Sequence, residues 1–588
     1  MKDKFGKYSY SEDELKRAEE FSIKLFKTPN IDIPKVYKKA YFDLRKEFKI
    51  SPRKINLIRN YRKIYDTDEV PDIIKADKAA VRSGICSIGI LMKPGKFSCP
   101  YDCFYCPNVP GIARSYLPEE PTVKRGQRNK WDACNMVREK LSALYVKGHV
   151  LDKLEIIIKG GTFTYYPKKY AEEFVRDIFY TCNTFKTYKG EILLPTRFVR
   201  YNLQEEKKFN TVAQIKIIGI TIETRPDEIN KSELRRYRYL GITRVEMGVQ
   251  HTDDAILKIV NRKCKTSDSI RAIKLLKDNC FKVDIHLMPA LPGSSLLLDK
   301  KMFKEVLENP NLQVDQWKIY PTEITSNTKI KDWYEKGMYK PYYEKDKEAL
   351  VKLQKYLAVR MHRYIRINRI TRGFQDTNIV SVSKVKNTIR QIANNELKKE
   401  GQKCKCIRCQ EVGLKDVDYS KARKTVIKYE SSKGTEYFIH YASCPHERCW
   451  KYYWYLVCYY FLILFGIRIL WYGCGKENNL FGFLRLRLLN NYDDVYFPEL
   501  RKKTALVREL HVYGQVVGTY QKTKKDKTQH RGFGSKLLKE AERIAKYNKY
   551  KTIAIISGVG VRNYYQYKHG YKMAPGPGEF MMKRLLKK

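Results

Sequence analysis

The sequence predicts an α/β protein of two units: a partial (β/α) barrel with a parallel sheet, joined through a cysteine-rich linker to a second α/β unit of more antiparallel character. Three observations predict it. Between residues 81 and 330, short apolar runs alternate with polar, helix-like stretches, the pattern of strands and crossover helices. From 331 to 425, helical segments with little strand character lead into a tight cysteine group. From 426 onward apolar strand-like runs return, and a glycine turn among them opens a long helix.

A chain of 588 residues has room for several domains, each with its own core. Its 43% of hydrophobic residues excludes a largely disordered polymer. With 116 Lys+Arg against 65 Asp+Glu the net charge is +51, a field that attracts polyanions without choosing between nucleic acid and an acidic membrane surface. A solvated, lysine-coated surface accounts for much of the same excess. The N-terminal MKDKFGKYSYSEDELKRAEE has no apolar core of the secretory kind, which predicts a reducing compartment, cytosolic or, as the second choice, nuclear. Fifteen cysteines in a chain this long are no disulfide scaffold, and two tight groups among them suit metal ligation.

The elements follow in order. Residues 1–80 read as a basic helical region, its first helix opened by a capping box from Ser11 to Glu14. Six strand-like runs come next, at 83–92, 154–161, 217–223, 242–250, 281–289 and 316–321. The second unit reads FGFLRLRLL, TALVRELHVYG, the glycine turn, a helix and then KTIAIISGVG. One block departs from this scheme. Residues 452–467 are uninterruptedly apolar and end at Arg468, short of the ~20 residues a membrane-spanning helix needs. They belong to 442–481, a segment roughly 30 residues longer than a hairpin loop requires. A translated intron or a frame error accounts for this shift in composition better than an anchor placed inside a hairpin, so no membrane partner is expected.

Cys99-Pro-Tyr-Asp-Cys103-Phe-Tyr-Cys106 places three thiols on one loop just after the first strand, at the mouth where α/β barrels keep their chemistry. Three thiolates can hold three irons of a 4Fe–4S cluster and leave the fourth open to substrate; a structural zinc loop is the blander alternative. This CxxxCxxC motif with its aromatic residue resembles that of the radical S-adenosylmethionine (SAM) superfamily. The resemblance implies that the open iron binds S-adenosylmethionine, whose reductive cleavage yields a 5′-deoxyadenosyl radical. It also implies that Gly160 and Gly161, at the end of the second strand, approach the methionine moiety.

Gln529-His-Arg-Gly532-Phe533-Gly534-Ser535 matches QxxGxG at a helix start, where backbone N–H groups and the helix dipole favour a pyrophosphate. With the strand before it and IISGVGVRNYYQYKHGYK after it, the order resembles the GNAT acetyltransferase fold and implies acetyl-CoA. One of Tyr564 and Tyr565 is then expected to face the thioester as a catalytic hydroxyl; core packing is the alternative for both.

Both halves together, with Gly148–Lys153, Gly219–Asp227, Glu246–Gln250, Met288–Pro292, Val507–Gly514 and Ile556–Tyr565, resemble the family of Elongator catalytic subunits over nearly the whole chain. That resemblance implies acetyl-CoA contacts at Lys153, at Glu509, Leu510, His511 and Val512, at Phe533, Gly534 and Ser535, and at Tyr565. It implies a tRNA-modifying acyltransferase in which the deoxyadenosyl radical activates the acetyl methyl group, the carbon radical adds to C5 of wobble uridine, and thioester hydrolysis leaves 5-carboxymethyluridine. The implied partners are a tRNA anticodon stem-loop and other Elongator subunits, with a homodimer left open. Lys35 to Lys63, Lys124–Arg128 and Arg235–Arg238 are the basic candidates for the tRNA surface. Cys404, Cys406 and Cys409, spaced CxCxxC, suit a structural zinc ion in the linker, with Cys444, His446, Cys449 and His440 as candidates for a fourth ligand. Two other functions compete: a protein lysine acetyltransferase using the GNAT half alone, and a non-catalytic tRNA-binding scaffold.

Overall fold

The computed structural model describes residues 11–76, 85–95, 99–413, 417–443, 479–514 and 532–585. The N-terminal region is helical as expected, with helices Glu12–Phe26, Pro34–Phe48 and Lys54–Ile64 packed around Phe21, Leu25, Leu57 and Ile58. Its capping box forms: the Glu14 N–H donates to Ser11 Oγ at 3.1 Å, and the Ser11 N–H donates to the Glu14 carboxylate at 2.8 Å.

The barrel strands are β1 (Cys86–Leu91), β2 (Lys153–Lys159), β5 (Lys216–Thr224), β6 (Arg244–Gln250), β7 (Lys282–Leu287), β8 (Gln316–Ile319) and β9 (Arg366–Ile370), with a small hairpin of β3 (Thr187–Tyr188) and β4 (Glu191–Ile192) set apart. They form one seven-stranded sheet in the order β1-β2-β5-β6-β7-β8-β9, every neighbour parallel. All six expected runs are strands. The seventh, β9, corrects the reading of 331–425 as helical with little strand character. Ile365 just before it and its own outward Ile367 are fully buried, but its inward Arg366 and Asn368 are polar, so no apolar run announces it.

That inversion holds around the whole half-barrel. In β6 the outward Val245, Met247 and Val249 join the main core, while Arg244, Glu246, Gly248 and Gln250 face an internal cavity. The core therefore lies outside the sheet, beneath crossover helices such as Lys168–Thr184 and Leu296–Glu308. The barrel interior, usually filled by apolar layers, is open and charged.

The second sheet comprises β10 (Ala422–Ser431), β11 (Gly434–Ser443), β12 (Leu480–Leu489), β13 (Thr504–Val512), β14 (Thr552–Ile555), β15 (Lys572–Met573) and β16 (Met581–Arg584), in the order β10-β11-β12-β13-β14-β16-β15. It is antiparallel except for β13 and β14. Ala442 pairs with Leu480, and the Ser443 N–H donates to the Asn479 carbonyl at 2.9 Å, so the chain leaves and re-enters at the closed end of one hairpin. The intervening 444–478, with the apolar run 452–467 and Arg468, lie outside the described residues. Among the described residues no helix is long and apolar enough to cross a membrane.

The two sheets are held together by buried ion pairs. Arg508 grips Asp315 through both terminal nitrogens at 2.7 Å and reaches Glu436 at 3.0 Å. Glu509 accepts from Arg485 at 2.9 Å and from Arg244 at 3.2 Å, and Arg487 Nε donates to Asp278 at 2.9 Å. Arg238 belongs to the same seam. It is fully buried and donates to the Gly578 carbonyl at 2.7 Å, which removes it from the basic tRNA surface proposed on sequence. Arg62 and Arg125 are likewise buried, whereas Lys35, Lys38, Lys39, Lys124, Arg128 and Arg235 are exposed.

Candidate active site

One cavity of about 950 Å³ runs from the C-terminal ends of the barrel strands, through the barrel, to the second sheet. Cys99, Cys103 and Cys106 line one end; Gly534, Tyr564 and Tyr565 line the other.

At the first end the Thr162 hydroxyl donates to Cys99 Sγ at 3.2 Å, and Arg225 and Arg262 point Nη1 at Cys103 Sγ from 3.6 and 3.7 Å. Burial opposes ionisation of Cys103, yet the two guanidinium groups hold its thiol below the ordinary value. Cys106 has Arg114 and Arg372 beside it, but burial followed by the neighbouring Cys103 outweighs them and pushes its thiol up to about 12. Gly160 and Gly161 adopt φ of 153° and 89°. A Cβ on Gly160 would stand 2.5 Å from the Tyr166 hydroxyl, which donates to the Gly160 carbonyl at 2.9 Å, so only glycine fits this close approach. Gly160 thus packs against Tyr166, and of the pair Gly161 lines the cavity; with three cavity-facing thiols and cationic neighbours, its backbone fits an iron–sulfur cluster with a small zwitterion beside it.

At the other end Gly532, with φ 81°, caps the helix Phe533–Tyr547, whose N-terminus opens on the cavity and favours an anion there. A Cβ on Gly534 would lie 2.9 Å from the Tyr564 hydroxyl. Tyr564 therefore stands at the glycine turn; burial raises its hydroxyl above the ordinary range and a hydrogen bond from Ser535 offsets part of the rise. Tyr565 is 7% exposed, packs in the second core and also lines the cavity. Burial raises its hydroxyl as well, so both tyrosines are hydrogen-bond donors at neutral pH and not bases. Glu509, Leu510, His511 and Val512 line the cavity along β13, and Lys153 does so at the start of β2. The Glu509 carboxylate is engaged by Arg485 and Arg244. Gln529 lies outside the described residues.

In the linker the sulfur atoms of Cys404, Cys406 and Cys409 all lie within 4.8 Å of one another, close enough to share one ion. His440 is not in this group; it lies on β11 with its ring beside Phe438 and pairs across the sheet with Thr425 and Phe483. Cys444, His446 and Cys449 lie outside the described residues.

Sequence reasoning missed the middle of the cavity, where Glu223, Glu246, His286 and Lys318 project from β5, β6, β7 and β8. The one signal was a polar residue interrupting each apolar run, which a strand pattern ordinarily assigns to solvent.

A half-barrel with three thiols at its mouth, opening through its interior onto a second ligand-binding domain, defines a radical SAM protein with a second active-site domain. The model of the radical SAM superfamily matches residues 97–296, and that of the radical SAM C-terminal domain matches 314–399. Over 532 residues the chain is 34% identical to the tRNA uridine(34) acetyltransferase of Methanocaldococcus infernus, covering 87% of this chain and 88% of that protein. It is 33% identical over 529 residues to Elongator complex protein 3 of Schizosaccharomyces pombe, covering 87% of each. The solved structure of archaeal M. infernus Elp3 with an N-terminal deletion superposes with a TM-score of 0.65 at 32% identity, over 85% of this chain and 99% of that one. The chain belongs to the Elongator protein 3 family of radical SAM enzymes, a membership that implies a 4Fe–4S cluster and S-adenosylmethionine.

Proposed function

We propose that this protein converts the wobble uridine of tRNA to 5-carboxymethyluridine, taking the two-carbon unit from acetyl-CoA. The observation that carries the reading is the single cavity joining the three-thiol loop to the glycine-opened helix. Two half-reactions need a shared enclosure when a reactive carbon species must not meet water between them.

Cys99, Cys103 and Cys106 would hold the cluster, and the bare backbone at Gly160 and Gly161 would take S-adenosylmethionine. Together these groups supply a carbon radical strong enough to remove hydrogen from an acetyl methyl group. Gly532, Phe533, Gly534 and Ser535 bind the coenzyme A pyrophosphate at the helix start. Lys153 and the Glu509–Val512 backbone guide the pantetheine arm toward the barrel. Tyr564 or Tyr565 donates a hydrogen bond to the sulfur as the thioester is hydrolysed. Exposed Lys35, Lys38, Lys39, Lys124, Arg128 and Arg235 hold tRNA phosphates, and the anticodon loop presents a base that leaves its stack at little cost. Association with other Elongator subunits belongs to the same reading.

The test is anaerobic incubation of the protein with tRNA, S-adenosylmethionine, reductant and acetyl-CoA, followed by nucleoside analysis. 5-Carboxymethyluridine at position 34 is expected. Its absence alongside acetylation of lysine side chains in added protein would replace the reading with that of a lysine acetyltransferase.

Cys404, Cys406 and Cys409 are proposed to hold one zinc ion that pins the linker. Elemental analysis is expected to give one zinc per chain besides the iron. Cys406→Ser is expected to lose that zinc and lower the melting temperature by more than about 5 °C; full zinc occupancy in this variant would reject the site.

A further inference from the structure

Midway along the cavity, three polar side chains from adjacent strands form a compact group that neither the cluster loop nor the glycine turn uses. Lys318 of β8 is the register partner of His286 of β7, and the Glu246 carboxylate of β6 reaches both. Glu246 Oε2 forms an ion pair with Lys318 Nζ and stands 3.6 Å from His286 Nε2, too far for a hydrogen bond. His286 Nε2 is buried and has no hydrogen-bond partner among the described residues. Tyr320 meets the imidazole edge-on at 5.4 Å between ring centres and also lines the cavity. The side chains of Glu246, His286 and Lys318 are 2%, 15% and 12% exposed. Burial opposes charge on both partners of the ion pair, but each holds the other ionised, Glu246 below the ordinary carboxylate range and Lys318 above the ordinary ammonium range.

A buried donor such as His286 Nε2 is costly unless a ligand completes its hydrogen bond. One acceptor, Glu246 Oε2, lies against two nitrogens that can donate, Lys318 Nζ and, in the tautomer that carries Nε2–H, His286 Nε2. The Watson–Crick edge of uracil is the group's complement: O4 accepts, N3–H donates and O2 accepts. Cytosine offers a donor, an acceptor and an acceptor, and so opposes the group at two of three places. An ammonium has three protons and a carboxylate about four acceptor sites, so the internal ion pair survives the base's arrival. Resting on the tRNA reading above, we propose that Glu246, His286 and Lys318 form the base-reading subsite, which admits uracil and rejects cytosine, with Tyr320 as an aromatic wall.

The test uses the full-length, cluster-loaded protein and two anticodon stem-loop RNAs that differ only in U or C at position 34, with affinity read by fluorescence anisotropy. The wild type is expected to prefer the U34 loop at least about tenfold, because a site built to bond a polar edge rejects its mismatch. Glu246→Gln and His286→Phe are expected to bring that ratio close to one while leaving the C34 affinity unchanged, since phosphate contacts carry it. S-adenosylmethionine affinity and the cluster's absorbance band are expected to remain as in the wild type. If the wild type makes 5-carboxymethyluridine and both variants keep the full preference for U, the subsite assignment falls and the function stands. If the wild type makes none, the function falls and the subsite with it. Loss of S-adenosylmethionine affinity in Glu246→Gln would likewise overturn the assignment, moving the carboxylate to that ligand's site.

Discussion

Cys103→Ala is expected to abolish 5-carboxymethyluridine formation, by at least about 10³-fold or some 4 kcal/mol of barrier, while the protein stays folded. Cys103 is one of three thiols on a single loop, and an iron–sulfur cluster bound through two is not retained. The fold should survive because both guanidinium groups near the sulfur keep other partners: Arg225 Nη2 donates to Asp227 at 2.8 Å, and Arg262 donates to the Gly248 carbonyl. The variant is therefore expected to lose iron and the visible absorbance band, to keep the wild-type melting temperature within a few degrees, and to bind acetyl-CoA and tRNA normally. Iron analysis, a thermal melt and nucleoside digestion of the same preparation check the three parts together. Undiminished 5-carboxymethyluridine in an iron-free preparation would refute the radical route.

The parts of this site that lie close in sequence were the parts legible in it. The thiols of Cys99, Cys103 and Cys106 sit on one loop, and Gly532 and Gly534 flank one helix start, so a few consecutive residues carry the chemistry. Strands β1 to β8 of the barrel announced themselves because their outward faces feed the main core. The interior did not, because a polar residue at every second position reads as solvent-facing when it in fact faces a cavity. Glu246, His286 and Lys318 were hidden in this way, and so was β9, whose inward Arg366 and Asn368 break the apolar run. Arg238 failed for a different reason. Besides the nearby Ile242 carbonyl, its partners are the carbonyls of Gly578 and Glu579 from the far end of the chain, and a local cluster of arginines gives no hint of them.

The second large effect lies at the seam between the sheets. Asp315, fully buried on the loop before β8, accepts from both terminal nitrogens of Arg508 at 2.7 Å and from the Val283 N–H at 2.9 Å, and stands 3.5 Å from Arg485. Asp315→Ala leaves Arg508 and Arg485 buried with only Glu436 and Glu509 to oppose them, and the expected loss is about 3–5 kcal/mol. A thermal melt should register it as a large drop, and Asp315→Asn, which keeps the shape but not the charge, should fall most of the way. Combining Asp315→Ala with Arg508→Met should recover part of the loss, because an apolar replacement no longer needs a counter-charge. The same seam sets an acid limit. Burial alone would raise Glu436 and Glu509, but Arg508, Lys277 and Arg487 hold the first, and Arg244, Arg485 and Lys282 the second, down to about 2 from an ordinary 4.5. A carboxylate whose folded value is depressed stabilises the fold above its unfolded value, and that stabilisation is lost as pH falls through the folded one. These two glutamates should therefore make the wild-type melting temperature decline between about pH 4.5 and 2. Asp315→Ala, which removes one of the seam's carboxylates, should show a shallower decline over the same range. An acid profile parallel to the wild type would show that the seam's charges do not govern how the two sheets stay joined.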